Sequence, residues 1–309
     1  MFIVNPAANK LRGKADSYIA GIHSFFKEYP HMRYEVHVSR WERDALCVIR
    51  EHAQNAKELL RVHVMGGSGT LSEAVDSTIN LPNIQIAAYP FGHENIFLKY
   101  FGADKTHLFS SIRSQVVSGT TLVDAIRCGE RYGLCYGVVG FEALSATEAI
   151  SISESNLRHQ DMSYFFTMFK KLFYDEHFGQ EYKIELDGKQ MDGSYLSIRI
   201  ANGSYYSKSK KHFADAYPND GFFDVYFMKK TSRFTFLSNI RKYLAGNYRK
   251  TPELFSCYRG KKISISSDIT MNMTIDDKPF YGTSTEFEIL PYAIDFVCPG
   301  GIEIKEVSH

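Results

Sequence analysis

The fold of this chain is decided by the stretch Arg61-Val62-His63-Val64-Met65-Gly66-Gly67-Ser68-Gly69-Thr70. Its apolar first half predicts a buried strand, and the residues Leu71–Val75 that follow it have helical character. The glycines between them let the backbone approach an anion, because they carry no side chain. The free N–H groups of the first helical turn would point at that anion. No lysine follows the glycines at the spacing of the Walker motif, so the stretch predicts a phosphate-binding turn of another kind.

The length and charge of the chain exclude several classes of protein. Its 309 residues are enough for two domains with separate cores. The 36 basic and 35 acidic residues give a net charge of +1, which argues against a general nucleic-acid binder. The N-terminal segment turns polar at Asn5, and no apolar run approaches the roughly 18 residues of a membrane span. We therefore expect a cytoplasmic protein whose contact with lipid is peripheral, at the inner face of the membrane.

Strand and helix alternate over residues 1–125. Repeated βα units imply a parallel sheet that is covered on both faces and binds ligands at the carboxyl ends of its strands. We therefore expect a doubly wound α/β nucleotide-binding domain in this part of the chain. Its predicted strands are Phe2–Asn5, Tyr34–Val38, Val62–Met65 and Ile84–Tyr89, and its predicted helices are Tyr18–Tyr29, Asp44–Leu60, Leu71–Thr78 and Ile96–Phe101.

The sequence pattern changes after Val123-Asp124. Short apolar runs separated by turn residues such as Asp220-Gly221 predict an antiparallel β-sandwich domain over residues 126–290. We expect the last residues, about 291–309, to return to the first domain. The predicted strands are Gly133–Val139, Tyr182–Leu186, Tyr195–Ala201, Phe222–Phe227, Lys262–Ser266, Met271–Ile275 and Phe287–Leu290, with helical insertions at Ser163–Asp175 and Arg233–Ala245.

Two further turns are predicted to lie beside the glycine turn. Asn5-Pro6-Ala7 directly follows the first strand, and Pro90-Phe91-Gly92-His93-Glu94-Asn95 follows the strand Ile84–Tyr89. The carboxyl ends of parallel strands meet at one edge of a sheet, so the three turns would face one ligand.

Taken in order, these turns resemble the nucleotide site of the diacylglycerol kinase catalytic family. The family patterns are Asn-Pro, then Gly-Gly-Asp-Gly-Thr with a downstream Glu, then Pro-x-Gly-Thr-x-Asn-Asp. Ser39 and Asp44-Ala45 stand where the family has a Thr and Gly-Asp-Ala near the adenine. The resemblance continues to about residue 298 through Val123-Asp124, Gly137–Phe141, Ala201–Gly203, Pro218–Val225 and Ile275–Pro279.

The resemblance implies a lipid kinase that transfers the γ-phosphate of ATP to a lipid hydroxyl, such as that of diacylglycerol, with Mg²⁺ as the metal. Phosphoryl transfer needs amides for the phosphates, carboxylates for the metal, and a carboxylate that takes the hydroxyl proton. By resemblance Asp276 is the catalytic base, and the Asp220 carboxylate with the Phe222 carbonyl holds a structural Mg²⁺. The nucleotide-binding residues that it implies are Asn5, Ser39, Gly66, Gly67, Ser68, Gly69, Thr70, Glu73, Gly92 and Asn95.

Three acids of the family are replaced in this chain. Ser68 replaces the Asp of the glycine turn, Ile96 the Asp of the third turn, and Lys278 the Glu of the late motif. A hydroxyl binds Mg²⁺ more weakly than a carboxylate does, and Lys278 places a positive charge close to Asp276. Two alternatives therefore stay open: a degenerate member that binds nucleotide or lipid without efficient turnover, and an NAD kinase-like enzyme. Asp276 itself fits a catalytic base and a solvated hairpin acid equally well.

One predicted helix carries an apolar stripe that suits a lipid partner. An aromatic stripe beside lysines is typical of a helix at a bilayer interface or over an acyl-chain pocket. A helix packed on the sandwich gives the same pattern, so both interpretations stay open, as does a homodimer. The stripe consists of Phe165, Met168, Phe169, Leu172 and Phe173, with Lys170 and Lys171 beside it.

Overall fold

The computed structural model describes residues 1–41, 43–93, 95–143, 178–207, 210–211, 216–244, 251–276 and 278–302. The chain forms two compact units. The first contains Met1–Ala125, Tyr217–Asp220 and the chain from Leu290 onward, and the second contains Ile126–Ala216 and Gly221–Ile289. The predicted helix Ser163–Asp175 and its apolar stripe lie outside the described residues.

The first unit is built on a parallel sheet. Its elements are β1 (Phe2–Val4), α1 (Ala15–Lys27), β2 (Val36–Val38), α2 (Asp44–Asn55), β3 (Leu60–Gly66), α3 (Ser68–Thr78), β4 (Ile84–Pro90), α4 (Ile112–Val117) and the end of β16 (Lys278–Val297). The strands run in the order β2-β1-β3-β4, and the end of β16 lies parallel to β4 through Asp295 and Phe296. Short 3₁₀ helices at Phe97–Phe101 and Thr106–Ser110 follow β4.

Helices cover this sheet because its strands are apolar on both faces. Phe2 and Val4 of β1 pack with Phe26 of α1 in one buried cluster. Ile3 points to the opposite face, since side chains alternate along a strand, and it is fully buried as well. On the sheet, α3 packs on β3 and β4, and α2 packs on α3. The predicted doubly wound α/β domain is confirmed.

The second unit is an antiparallel β-sandwich, as the sequence predicted. The remaining strands and helix are β5 (Thr120–Cys128), which enters from the first unit, β6 (Arg131–Gly133), β7 (Tyr136–Gly140), β8 (Gln180–Leu186), β9 (Lys189–Gln190), β10 (Gly193–Ala201), β11 (Tyr205–Ser207), β12 (Lys210–Lys211), β13 (Phe223–Lys229), α5 (Arg233–Leu244), β14 (Phe255–Gly260) and β15 (Lys262–Ile275). Strand β10 pairs with β7 and β13, and β13 pairs with β14. Strand β15 pairs with β16, β7 and β8. A last 3₁₀ helix, Pro299–Gly301, belongs to the first unit.

Two long strands join the layers of the sandwich. β10 pairs with β8 at its start and with β7 at its end, and its register shifts between Tyr195 and Ser197. β15 also pairs with β8 at its start and with β7 at its end, and its register shifts between Ser266 and Met271. Such irregularities bend a strand and let it serve two sheets. The apolar side chains between the layers form a buried core that includes Ile184, Ile198, Phe227, Ile265 and Phe287.

Several predicted boundaries were wrong, each for a local reason. The predicted helix Ile96–Phe101 is a 3₁₀ helix at Phe97–Phe101, because Gly102 ends it after a single short segment. The predicted strands Lys262–Ser266 and Met271–Ile275 form one irregular strand, β15. The sequence did not predict β14, an edge strand whose middle residues Cys257–Arg259 are exposed. No helix within the described part of the chain is long and apolar enough to cross a membrane.

Candidate nucleotide-phosphate site

Glycines of two turns pack against each other at the carboxyl edge of the parallel sheet. A Cβ atom on Gly92 would lie 2.7 Å from the Cα of Gly67, and a Cβ atom on Gly66 would lie 2.5 Å from the Thr70 side chain. Atoms cannot approach so closely, so a larger residue at Gly92 would push the two turns apart, and one at Gly66 would displace the Thr70 side chain. The glycine turn and the turn after β4 therefore form one closely packed wall.

Asn5 joins the first turn to the glycine turn. Its Nδ2 donates to Thr70 Oγ1 at 3.0 Å, and its Oδ1 accepts from the N–H of Ala7 at 3.0 Å. The Asn5 N–H donates to the carbonyl of Met65 at 2.9 Å. Thr70 is buried, so the bond between the two side chains is partly shielded from water. The structure thus brings together two residues of the predicted nucleotide site that are far apart in sequence.

Asn95 forms hydrogen bonds back to Gly92 within the turn Pro90–Asn95. Its Oδ1 accepts from the Gly92 N–H at 3.0 Å, and its Nδ2 donates to the Gly92 carbonyl at 3.1 Å. Asn95 has a φ of 50°, a left-handed conformation that asparagine tolerates better than most residues. The next residue, Ile96, is buried where the family has an acid. The turn therefore keeps its shape without a ligand, but it offers no carboxylate at that position.

The glycine turn leads into the N-terminus of α3. The helix begins at Ser68 and not at the predicted Leu71. Its first internal hydrogen bond runs from the Leu71 N–H to the Gly67 carbonyl at 3.1 Å. The N–H groups of Ser68, Gly69 and Thr70 precede that bond and have no acceptor within the helix. They carry the positive end of the helix dipole to the edge of the sheet, where an anion would be stabilised.

Gly69 differs from the other glycines of this site. A Cβ atom there would meet no other atom within 4 Å, and its φ is not in the left-handed region. Glycine inside a helix costs about 0.5–1 kcal/mol relative to alanine. No neighbouring atom of the described chain requires glycine at this position. Its missing side chain leaves space beside the free amides of α3.

Ser39 follows β2 at the carboxyl edge of the sheet, beside the ends of β1 and β3. Val4 of β1 is aligned with Val38 of β2 and with Met65 of β3. The N–H of Ser39 donates to the Val4 carbonyl at 2.9 Å, which extends the pairing by one residue. The Ser39 Oγ is buried and has no hydrogen-bond partner among the described residues.

Asp44 holds the loop that follows Ser39. Its Oδ2 accepts from the Arg40 N–H at 2.8 Å and lies 2.9 Å from His37 Nε2. Burial alone would raise the pKa of the Asp44 carboxyl, but the hydrogen bonds from His37 and from the Arg40 amide outweigh burial and lower that pKa. Asp44 is therefore ionised at neutral pH and anchors the loop from within.

Glu73 connects the two helices behind the site. Its Oε2 accepts from the N–H of Leu46, in the first turn of α2, at 3.2 Å. A carboxylate in this place caps the N-terminus of α2, where N–H groups lack partners within the helix. The predicted nucleotide-binding residue thus has a structural contact that links α3 to α2.

Asp276 lies in the second unit, in the turn between β15 and β16. Its Oδ1 accepts from the N–H groups of Cys135 and Tyr136 at 2.9 and 3.0 Å, and its Oδ2 accepts from that of Leu134 at 2.9 Å. Three N–H donors stabilise the ionised carboxylate and hold it in one orientation. Lys278, half-buried at the start of β16, follows this turn.

The predicted magnesium ligands, Asp220 and Phe222, lie in the loop before β13, and their role as metal ligands stays a prediction. The Phe222 ring has the Arg259 guanidinium at 4.5 Å and the Lys261 ammonium at 4.7 Å from its centre. The described residues contain no group of three or more His, Cys, Asp or Glu side chains that could hold a metal.

Comparison with known proteins shows which family has this arrangement. The profile described as "Diacylglycerol kinase catalytic domain" matches residues 1–128. The profile described as "YegS C-terminal NAD kinase beta sandwich-like domain" matches residues 138–298, which is more than half of the chain. The chain belongs to the diacylglycerol kinase catalytic family.

Individual relatives of this family agree with the assignment. A Staphylococcus aureus (strain MRSA252) protein named "Putative lipid kinase" is 26% identical over 245 residues, which is 78% of each chain. A structure titled "Crystal structure of a putative diacylglycerol kinase from Bacillus anthracis str. Sterne" has a TM-score of 0.73 at 17% identity and covers 98% of this chain and 97% of that chain. Yeast NADH kinase complexed with NADH has a TM-score of 0.50 at 11% identity, over 96% of this chain and 82% of that one. At these identities the two structures show the fold alone.

The sequence pattern did not predict the backbone conformation of Arg43. Arg43 stands at the glycine position of the family pattern Gly-Asp-Ala, and its φ is 64°. That conformation is left-handed and favours glycine. An arginine in the place of a family glycine was the signal that could have revealed it. The adjacent loop also carries Trp41, which is 64% exposed.

Proposed function

We propose that this diacylglycerol kinase family member binds the phosphates of ATP at the glycine turn and transfers the γ-phosphate to a lipid hydroxyl. The observation that carries the proposal is the open space at Gly69, beside amides that have no acceptor within α3. A phosphate suits this space because the helix N-terminus supplies N–H donors and partial positive charge. The bonded pair Asn5 and Thr70, together with the turn at Gly92, gives the space rigid walls.

In the proposed reaction the lipid hydroxyl oxygen attacks the γ-phosphorus. The bond from the γ-phosphorus to the oxygen that bridges it to the β-phosphorus breaks, and ADP leaves. The hydroxyl proton passes to a carboxylate, for which Asp276 is our candidate. The three N–H donors to Asp276 keep it in the ionised form that can accept a proton, and they also weaken it as a base. Mg²⁺, when bound, would neutralise charge on the phosphate oxygens.

A degenerate member that binds nucleotide without efficient turnover is the second candidate. It is favoured by the neutral Ser68 at the start of α3, by the buried Ile96, and by the three amides already bonded to Asp276. Loss of one catalytic group typically costs a factor of about 10² or more. An NAD kinase-like activity is a third candidate, and the shared fold with yeast NADH kinase does not distinguish it.

Transfer of radiolabelled γ-phosphate from ATP separates these candidates. The acceptors are mixed lipid vesicles and, in a parallel reaction, NAD. Wild-type transfer to lipid at an ordinary kinase rate, about 1–100 s⁻¹, would rule out the degenerate candidate. No wild-type transfer, with transfer gained in Ser68→Asp, would support it, because the substitution restores a metal-binding carboxylate. Label in NAD would point to the third candidate.

The phosphate site itself is tested by Gly69→Ala. We expect this variant to be about 0.5–1 kcal/mol more stable than the wild type, since alanine is the better helix former. We also expect it to lose ATP binding, because its methyl group occupies the space beside the amides. Thermal unfolding with and without ATP measures both effects.

Gly66→Ala serves as the matched control for this substitution. Its Cβ atom would clash with Thr70, so this variant should lose stability whether or not ATP is present. If ATP raises the melting temperature of Gly69→Ala as much as it raises that of the wild type, the proposed phosphate site is contradicted.

We further propose that the lipid acceptor is taken from a membrane surface. Phe234, at the start of α5, is 81% exposed. The exposed Lys229, Lys230 and Arg233 precede it closely in sequence. An exposed aromatic ring beside cations is typical of contacts with anionic headgroups. Co-sedimentation with anionic vesicles should exceed that with neutral vesicles and fall in Phe234→Ala, but not in Val117→Ala, another highly exposed apolar position.

A further inference from the structure

Among the described residues of the first unit, the most exposed large apolar side chain lies on the loop after β2. Trp41 is 64% exposed and is the single tryptophan of the chain. Isolated apolar side chains on a surface are common and need no partner. Trp41 is distinguished by the position and the rigidity of its loop, which runs from Ser39 to Asp44 and is called the Trp41 loop below.

The backbone on both sides of Trp41 is bonded to one buried residue. The Arg40 N–H donates to Asp44 Oδ2 at 2.8 Å, and the Asp44 N–H donates to the Trp41 carbonyl at 3.3 Å. Asp44 is 2% exposed, so both bonds are anchored in the protein interior. The loop begins at Ser39, whose N–H is bonded to the Val4 carbonyl. The indole is thus exposed on a loop that is held at both ends.

This loop and the glycine turn both begin at the carboxyl edge of the parallel sheet. Val38 and Met65 are both aligned with Val4 of the intervening strand β1. Adjacent strands lie about 4.8 Å apart, so two spacings separate the loop from the glycine turn by about 10 Å. A nucleotide whose phosphates lie at the glycine turn can reach the loop with its base. The buried Ser39 Oγ, which has no partner among the described residues, is a polar group that a ligand would satisfy.

We infer that the Trp41 indole is the platform on which the purine base of the bound nucleotide stacks. The inference rests on the proposed phosphate site and adds a residue that determines nucleotide affinity. Stacking on an aromatic ring is tolerant of the base, because every base has a π-face. Trp41 should therefore strengthen the binding of ATP and GTP alike, relative to a ligand that has phosphates but no base.

The test compares ATP with inorganic tripolyphosphate on the full chain. We expect Trp41→Ala to bind ATP about tenfold more weakly than the wild type by calorimetry. Tripolyphosphate should bind wild type and variant equally. Trp41→Phe, which keeps an aromatic face, should recover most of the ATP affinity. Leu59→Ala is the matched control, since Leu59 is 62% exposed but precedes β3 at the opposite edge of the sheet.

The intrinsic fluorescence of wild-type protein gives an independent measurement. Because Trp41 is the single tryptophan, ATP should quench the emission and tripolyphosphate should not. Equal ATP affinity in wild type and Trp41→Ala, or ATP binding without quenching, would overturn the stacking platform and leave the phosphate site intact. Equal weakening of both ligands in Trp41→Ala would also overturn it. Failure of the wild type to bind either ligand would overturn the proposed function together with the platform.

Discussion

Arg43 shows how a single residue can be held in a conformation that its side chain disfavours. Its φ of 64° and ψ of 10° are left-handed, a conformation that costs a residue with a Cβ atom about 1–2 kcal/mol. It sits at the N-terminus of α2 between Trp41 and the buried Asp44. Such strain persists where the surrounding contacts impose it, often at functional sites.

Replacing Arg43 with glycine should relieve this strain. We expect Arg43→Gly to raise the free energy of unfolding by about 1 kcal/mol, because glycine adopts a positive φ without a steric penalty. Urea denaturation measures the change, and Arg40→Gly, at a position without positive φ, should show no gain. A loss of stability in Arg43→Gly would mean that the arginine side chain contributes more than the strain costs.

The buried side chain of His63 makes the stability of the first unit depend on pH. It stacks on Phe2, its Nδ1 lies 3.2 Å from the Tyr89 hydroxyl, and it is buried. Burial, reinforced by the positive charges of the N-terminus and Arg61, holds the pKa of His63 well below its usual value of 6.5. Below about pH 6.5 the unfolded chain therefore binds a proton that the folded chain does not.

The stability of the protein should consequently fall as the pH drops below about 6.5, with a slope of up to about 1.4 kcal/mol per pH unit from this one group. Urea denaturation between pH 7.5 and pH 5.5 measures the slope. In His63→Phe the slope should be smaller, whatever the absolute stability of that variant. An unchanged slope in this variant would show that His63 takes up a proton in the folded chain.

At the scale of elements, α3 both presents the free amides and positions α2. Leu46 of α2 donates its N–H to Glu73, and its carbonyl accepts from Ser77 Oγ at 2.9 Å. Both backbone groups of one residue are thus bonded to side chains of α3. The N-terminus of α2, from which the Trp41 loop extends, is therefore placed by the helix that begins at the glycine turn.

Removal of the Glu73 carboxylate should weaken this connection. We expect Glu73→Ala to lower the free energy of unfolding by about 1 kcal/mol, the usual effect of losing an N-terminal cap. Glu73→Gln, which keeps an acceptor oxygen, should lose less. Chemical denaturation measures both, with Glu51→Ala, an exposed position on α2, as the control. Wild-type stability in Glu73→Ala would leave no role for the cap.

At the scale of the whole molecule, three distant parts of the chain meet at Asp124 in the first unit. The N–H of this fully buried residue donates to the Pro218 carbonyl at 2.7 Å. Its Oδ1 accepts from the N–H of Tyr292 at 2.8 Å. β5, the short segment Tyr217–Asp220 and the returning chain are therefore joined at one residue, through its backbone N–H and its carboxylate.

Loss of this carboxylate should destabilise the first unit. We expect Asp124→Ala to cost about 1–3 kcal/mol, because it removes the charged acceptor of the Tyr292 N–H and keeps the backbone bond to Pro218. Asp124→Asn, which keeps Oδ1, should cost less. Chemical denaturation measures the effect beside Asp268→Ala, whose side chain is 94% exposed and should be neutral. Equal stability of Asp124→Ala and wild type would show that other contacts hold these segments.

The sequence by itself determined the two kinds of domain, the glycine turn and the family. These depend on local pattern: the spacing of apolar residues along strands and helices, and the turn residues between them. Only the tertiary structure decided which residues meet, since contacts such as Asn5 to Thr70, 65 positions apart, leave no periodic signal. It also revealed that Gly69 borders open space, that Glu73 caps α2, and that Asp276 accepts three amides. Each of these depends on the packing of distant segments, which local pattern does not encode.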